Sequence, residues 1–213
     1  PKELEAVTLP EEGEPPPPDP NFDLLADVDL VSLREVNEDV RAWIIIPNTT
    51  LSYPVVQCGD NQYYLNHTWK GKRSSAGAIF LEWQANGDFS GFATLIYGHR
   101  MNNDTMFGTL REYKDPDFWR EHPSVYLVQD SSVSRYDIYA VLEAGITSPV
   151  YHLAFPDRAA REAYIAYGLE NSVIDTGVLP SPDSRIIALS TCTGRGHATR
   201  WVVQAVLAEQ SPR

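Results

Sequence analysis

Ile186-Ile187-Ala188-Leu189-Ser190-Thr191-Cys192, followed after a short loop by Arg200-Trp201-Val202-Val203-Gln204-Ala205-Val206-Leu207, reads as two neighbouring strands. Both runs are apolar and rich in β-branched residues, and Gly194 and Gly196 punctuate the link between them. Paired as a hairpin, the runs set the Cys192 thiol and the Arg200 guanidinium side by side at one rim of a sheet. A thiolate there can attack a carbonyl, and a fixed cation can hold the substrate or the developing oxyanion. An inert core cysteine also ends an apolar run in this way, so the segment alone leaves both readings open.

Outward from this hairpin the chain keeps a β texture from Ala42 onward. Short apolar runs at 43–46, 53–57, 78–83, 93–97, 124–129 and 135–143 precede 185–191 and 200–208, separated by Gly, Pro, Asn and Asp clusters. So many short strands in a mainly β body predict a closed barrel or a sandwich. Helical pieces interrupt them at Asp60–Asn66, Thr105–Glu112, Asp115–Glu121 and Pro156–Tyr167. The last carries an Ala160/Tyr164/Tyr167 stripe with Gly168 as its stop, and it directly precedes the cysteine strand, where it is placed to roof the site.

The N-terminal part differs in kind. Residues 1–20 form a Pro-rich acidic spacer: the run Pro10-Glu11-Glu12-Gly13-Glu14-Pro15-Pro16-Pro17-Pro18-Asp19-Pro20 lacks donors and repels itself, which predicts polyproline II or disorder. Residues 21–41 place Leu24, Leu25, Val28, Val31, Leu33, Val36 and Val40 at roughly helical spacing, predicting one or two amphipathic helices packed on the 42–213 body. Of the formal charge of −12, most lies here. Residues 1–39 hold 12 acids against Lys2 and Arg34, whereas residues 40–213 hold 17 acids and 15 bases. The body is nearly neutral and has no basic stripe, so nucleic acid is not an expected partner. No apolar run approaches the ~20 residues of a membrane span. The chain begins at Pro1 rather than Met, which leaves room for an upstream anchor.

Two cysteines, Cys58 and Cys192, allow at most one bridge and no disulfide framework. A thiol with an ordinary pKa near ~8.5 is little ionised at pH 7, so thiol chemistry calls for a companion imidazole. Of His67, His99, His122, His152 and His197, His99 stands out. It ends Ala93-Thr94-Leu95-Ile96-Tyr97-Gly98-His99, a buried strand that delivers a side chain to its end as the other strand delivers Cys192. His197, in the Gly194-Arg195-Gly196 loop, is the rival companion. As a metal pair, Cys192 and His197 lack two further ligands at recognisable spacing, so zinc is not expected.

These residues together resemble a known family. Leu189-Ser190-Thr191-Cys192 with Arg200-Trp201-Val202-Val203, and Ile96-Tyr97-Gly98-His99-Arg100-Met101 before them, are similar to the sortases, the cysteine transpeptidases of Gram-positive cell surfaces. Ala42-Trp43-Ile44-Ile45-Ile46-Pro47, Tyr53-Pro54-Val55-Val56-Gln57, Asn61-Gln62-Tyr63-Tyr64-Leu65-Asn66-His67, Asn86-Gly87-Asp88-Phe89-Ser90, Met106-Phe107-Gly108 and Asp175-Thr176-Gly177-Val178 follow in class B order. The resemblance covers about residues 22–208.

It implies an eight-stranded closed barrel with added N-terminal helices and a helix before the cysteine strand. It also implies Cys192 as nucleophile, His99 as acid/base and Arg200 as the cation on peptide or oxyanion, with Ser190, Thr191 and Tyr97 lining the groove. No cofactor and no metal enter this chemistry. The implied partners are an Asn-Pro-x-Thr-like sorting signal of a surface protein and an amine, from a peptidoglycan cross-bridge or, in a pilus-polymerising enzyme, from a pilin lysine. A thiol hydrolase that releases the acyl group to water is the alternative. The implied location is the outer face of the cell membrane, held by an N-terminal anchor. Two departures stand out: Ala188 replaces a Thr common in the family, and the 193–199 loop carries a rival cation, Arg195.

Overall fold

In a computed structural model, which describes residues 19–192 and 198–213, eight strands close into a barrel in the order β1-β2-β3-β4-β7-β8-β6-β5. The strands are β1 Val40–Ile45, β2 Ser52–Val56, β3 Ile79–Leu81, β4 Ala93–Tyr97, β5 Ser124–Val128, β6 Ser132–Gly145, β7 Ile186–Cys192 and β8 Thr199–Pro212. Every strand coincides with an apolar run of the sequence. The barrel resolves the choice between sandwich and barrel through two parallel pairings, β2 with β3 and β4 with β7, which knit the antiparallel segments into a ring.

Closure follows from alternation along the strands. On β7, Ile187 and Leu189 join Ile44, Ile96, Leu127 and Val203 in the barrel core, while Ile186 and Ala188 face outward into a second apolar cluster with Leu95, Tyr164 and Val202. An outward apolar face needs a cover. The helix α4, Arg158–Asn171, supplies it, burying Tyr164, Ile165 and Gly168, and it starts where Asp157 accepts a hydrogen bond from the Ala160 N–H at 2.8 Å.

Two expectations about α4 are corrected. Gly168 does not stop the helix but lies inside it, because a Cβ there would come within 2.2 Å of Gln204 Oε1. The buried stripe is therefore Tyr164, Ile165 and Gly168 rather than one built on Ala160. Nor does α4 roof the site: it packs on the outward apolar row of β6, β7 and β8, alongside the site, and contributes no residue to the cavity there.

Two short N-terminal helices, α1 Asn21–Ala26 and α2 Leu30–Val36, are the expected amphipathic pieces, with Phe22, Leu25 and Leu30 buried against the barrel. Val40, read as the end of the helical stripe, instead opens β1. The described chain begins on Asp19, whose carboxylate accepts hydrogen bonds from Tyr126 and Arg135, so docking starts before residue 21. Of the inserts, Asp60–Asn66 contracts to a 3₁₀ turn at Tyr63–Leu65, and Thr105–Glu112 becomes a 3₁₀ segment at Gly108–Lys114. Asp115–Glu121 forms α3, Pro116–Glu121.

Candidate active site

Strand register assembles the site. Cys192 on β7 sits directly opposite Arg200 on β8, and two residues earlier Ser190 is flanked by Val202 on one side and Tyr97 of β4 on the other. Directly opposed residues share a face, with Cβ atoms roughly 4.5–5.5 Å apart. Cys192, Arg200, Ser190 and Tyr97 therefore form one patch on the outside of the barrel, in the same row as Ala188. Thr191 falls on the inward row, and its Oγ1 is buried. Beyond Tyr97, the Gly98 N–H donates to the Ser190 carbonyl at 3.2 Å, carrying the β4–β7 pairing to the residue before His99. Only glycine fits at 98, because a Cβ would lie 2.7 Å from Ile79 and 2.8 Å from Phe107.

His99 is held at both ends of its residue. Its backbone carbonyl accepts the Phe107 N–H at 3.0 Å, and its ring Nε2 lies 2.7 Å from the Leu65 carbonyl. A carbonyl only accepts, so Nε2 carries the proton and Nδ1 remains to exchange one. Arg200 Nη1 donates to the Thr199 carbonyl at 3.0 Å, and the next residue, Trp201, donates from its ring N–H to the Leu110 carbonyl at 2.6 Å and ties the start of β8 to the 3₁₀ segment Gly108–Lys114.

A cavity of about 190 Å³ opens on this patch, lined by Tyr97, His99, Ser190, Thr191, Cys192 and Arg200. All six residues singled out in the sequence thus meet at one cavity. Asn61, Leu65, Phe80 and Gly98 complete the wall. They lie in segments whose motifs are visible in the sequence, yet nothing in local pattern says that the 3₁₀ turn folds over the end of β4. Tyr151 was also not foreseen: its hydroxyl lies 2.9 Å from Ser190 Oγ. Burial pushes the Tyr151 hydroxyl pKa up, the Ser190 bond and the Arg200 charge pull it down, and the Cys192 charge raises it, which puts this ring in electrostatic reach of both groups.

Cys58 follows β2 and does not line this cavity, and its Sγ donates to the Asp60 carbonyl at 3.3 Å. Burial, then the nearby Asp60 and Asp39 charges, push its pKa up. Both cysteines are unbridged. Arg195 and His197 lie outside the described residues, and among the described residues no cluster of three or more His, Cys, Asp or Glu could hold a metal.

A family model described as a Sortase domain matches residues 44–208. Sortase B of Listeria monocytogenes is 36% identical over 168 residues, which cover 77% of this chain and 67% of that protein. Sortase B of Staphylococcus aureus is 26% identical over 161 residues, covering 76% of this chain and 66% of that protein. The chain thus spans about two thirds of the length of these relatives. Among solved structures, Listeria monocytogenes sortase B superposes with a TM-score of 0.75 at 34% identity, covering 84% of this chain and 99% of that one. A Staphylococcus aureus sortase B–substrate complex superposes with a TM-score of 0.79 at 25% identity, covering 84% of each chain.

Proposed function

Because the chain belongs to the sortase family and to its class B, a family of cysteine transpeptidases, we propose that it cleaves a C-terminal sorting signal and joins the freed carboxyl end to an amine, with Cys192, His99 and Arg200 as the working groups. One observation carries this reading: three strand ends, β4, β7 and β8, deliver a histidine, a cysteine and an arginine to a single cavity.

In the proposed first step, the Cys192 thiol passes its proton to His99 Nδ1, and the resulting thiolate attacks the carbonyl carbon of a Thr in an Asn-Pro-x-Thr-like signal. A C–S bond forms, and the electron pair moves to the carbonyl oxygen. Arg200, held in advance by its strand, faces that charge at little further cost in order. The C–N bond then breaks, and the leaving amine takes a proton from His99, leaving a thioester on Cys192. In the second step an amine attacks the thioester, gives its proton back to His99 and expels the thiolate. Nδ1 of His99 is the atom suited to both transfers, since Nε2 is committed to Leu65. Ser190 and Tyr97 lie under the bound peptide, with Thr191 behind them.

A peptide partner is supported by the solved complex of the Staphylococcus aureus relative with its substrate. The acceptor is an amine of the peptidoglycan cross-bridge, or a pilin lysine if the enzyme polymerises pili. Residues 1–18 act as a spacer, residues 19–41 dock, and the barrel is the catalytic unit. This arrangement suits a domain held at the outer membrane face by an N-terminal anchor. Incubating the protein with candidate sorting peptides, with and without amines, tests the reading by mass spectrometry. A thioacyl adduct on Cys192 and an amine-ligated product are expected. Hydrolysis alone in saturating amine would favour the thiol hydrolase, and no Cys192 adduct with any sorting peptide would overturn the proposal.

A further inference from the structure

Beside the candidate site stands a charged group that the reaction above does not use. Glu82 follows β3 and is 4% exposed, and no ion pair reaches it among the described residues. A buried carboxylate without a cation is costly, and a leucine would pack there at no such cost. Its hydrogen bonds show where that cost is offset. One oxygen, Oε2, accepts both the Tyr97 hydroxyl at 2.9 Å and Asn61 Nδ2 at 2.7 Å, while Oε1 accepts a longer bond from the Gln84 N–H at 3.4 Å. Asn61 is fixed from its other end as well, since its Oδ1 accepts the Trp83 N–H at 3.0 Å. The Glu82 backbone is clamped in turn: Gln57 Nε2 donates to its carbonyl at 3.1 Å, and its N–H donates to Leu95 at 2.9 Å. Tyr97 and Asn61 come from segments far apart in sequence, and both line the candidate cavity.

We infer that Glu82 is a positioning residue, whose Oε2 locks the Tyr97 ring and the Asn61 amide into the wall of the peptide groove. The inference rests on the reading of this cavity as a peptide site. The lock fixes what the wall offers. With Oδ1 and one N–H committed, Asn61 presents its remaining N–H in one orientation, suited to an acceptor such as a peptide carbonyl. Burial, followed by the Glu82 charge and hydrogen bond, pushes the Tyr97 hydroxyl pKa well up, so the phenol stays a donor across the working pH range. Preorganisation of this kind contributes mainly to peptide binding, because neither group touches the reacting bond.

The test compares Glu82→Leu with Glu82→Gln in the whole chain. Because both wall donors converge on Oε2, the Gln carbonyl can take that place, giving up only the long 3.4 Å bond that Oε1 accepts from the Gln84 N–H. Glu82→Gln should therefore keep the KM for a turned-over sorting peptide within about threefold, whereas Glu82→Leu should raise KM at least about tenfold and change kcat less than about threefold. Two further readouts make the outcome specific. The Asn61 side-chain amide resonances should shift toward free-amide positions in Glu82→Leu and stay put in Glu82→Gln. Alkylation of Cys192 by iodoacetamide should keep its rate in both.

If Glu82→Leu does not fold, Tyr97→Phe decides, since removing one of two donors that share Oε2 should still displace the Asn61 resonance. An unmoved Asn61 resonance in Glu82→Leu, or in Tyr97→Phe when that variant has to decide, overturns the inference. So does an unchanged KM, or a kcat that falls as far as KM rises. If the parent protein turns over no sorting peptide, the functional reading fails while the Asn61 resonance still decides the lock.

Discussion

Cys192, His99 and Arg200 were legible one residue at a time, because each ends or begins an apolar run, and a strand delivers its terminal side chain to a rim. Glu82, Asn61 and Tyr151 were not. Their roles come from hydrogen bonds between segments distant in sequence, and a Glu after Ile79-Phe80-Leu81 looks like any strand-end acid. At this scale Cys192→Ala should abolish peptide cleavage and adduct formation, and Cys58→Ala should leave both nearly intact. The Cys58 thiol pKa is pushed up by burial and neighbouring acids, so it supplies less thiolate than an ordinary cysteine at pH 7. Mass spectrometry of the trapped adduct checks both variants, and loss of activity in folded Cys58→Ala would sink the assignment. Arg200→Ala should lower the cleavage rate by about 10²-fold or more, the usual loss for a preorganised donor. Arg200→Lys should restore little, since it lacks the planar fork. Arg195→Ala should cost less than about tenfold. Single-turnover rates on the folded variants decide, and the reverse ranking would move the functional cation to Arg195.

Strands were the most legible elements, since a period of two in short apolar runs survives any tertiary setting. The helices were less so. Spacing alone made Gly168 a stop, but the contact between α4 and β8 makes it a place where backbone must approach a buried amide. Gln204 is fully buried, with the Tyr164 hydroxyl of α4 as its polar neighbour. A Cβ at 168 would collide with its Oε1, with Tyr139 Cε2 only 3.2 Å from the same Cβ. Gly168→Ala should therefore destabilise by about 1–3 kcal/mol, the usual range for overpacking. Denaturant unfolding would measure it, and the loss should be smaller when Gln204→Ala makes room, so that the two changes are non-additive. Additive losses would show that the helix tolerates the methyl group and that the glycine matters for another reason. Since α4 braces the outer face of β7, Gly168→Ala should also slow Cys192 alkylation or peptide cleavage only modestly.

For the whole molecule, the N-terminal acid-rich stretch and the neutral body were plain from composition, but the point where tether becomes docked chain was not. Asp19 is partly buried, which raises its pKa, yet hydrogen bonds from Tyr126, the Asn21 N–H and Arg135 hold it below the usual carboxylate range. A lowered folded-state value means that the contact stabilises above the unfolded pKa near 3.8 and is lost as pH falls through the folded value. Asp19→Asn should therefore cost about 1 kcal/mol at pH 7, with the gap to the parent protein closing as pH drops from about 5 toward 3. Removing residues 1–18 should cost almost nothing, and a fall in melting temperature beyond about 5 °C, on a scale of ~2–4 °C per kcal/mol for a domain this size, would show docking upstream of Asp19. The sequence by itself determined the strands, the family and the three strand-end groups, because apolar alternation and terminal placement are local properties of the chain. Only the tertiary structure decided that the ring closes through the parallel pairs β2–β3 and β4–β7, that α4 lies alongside the site rather than over it, and that Glu82 meets both Tyr97 and Asn61. Those facts depend on which segments meet across long sequence separation, and no local pattern of residues carries that information.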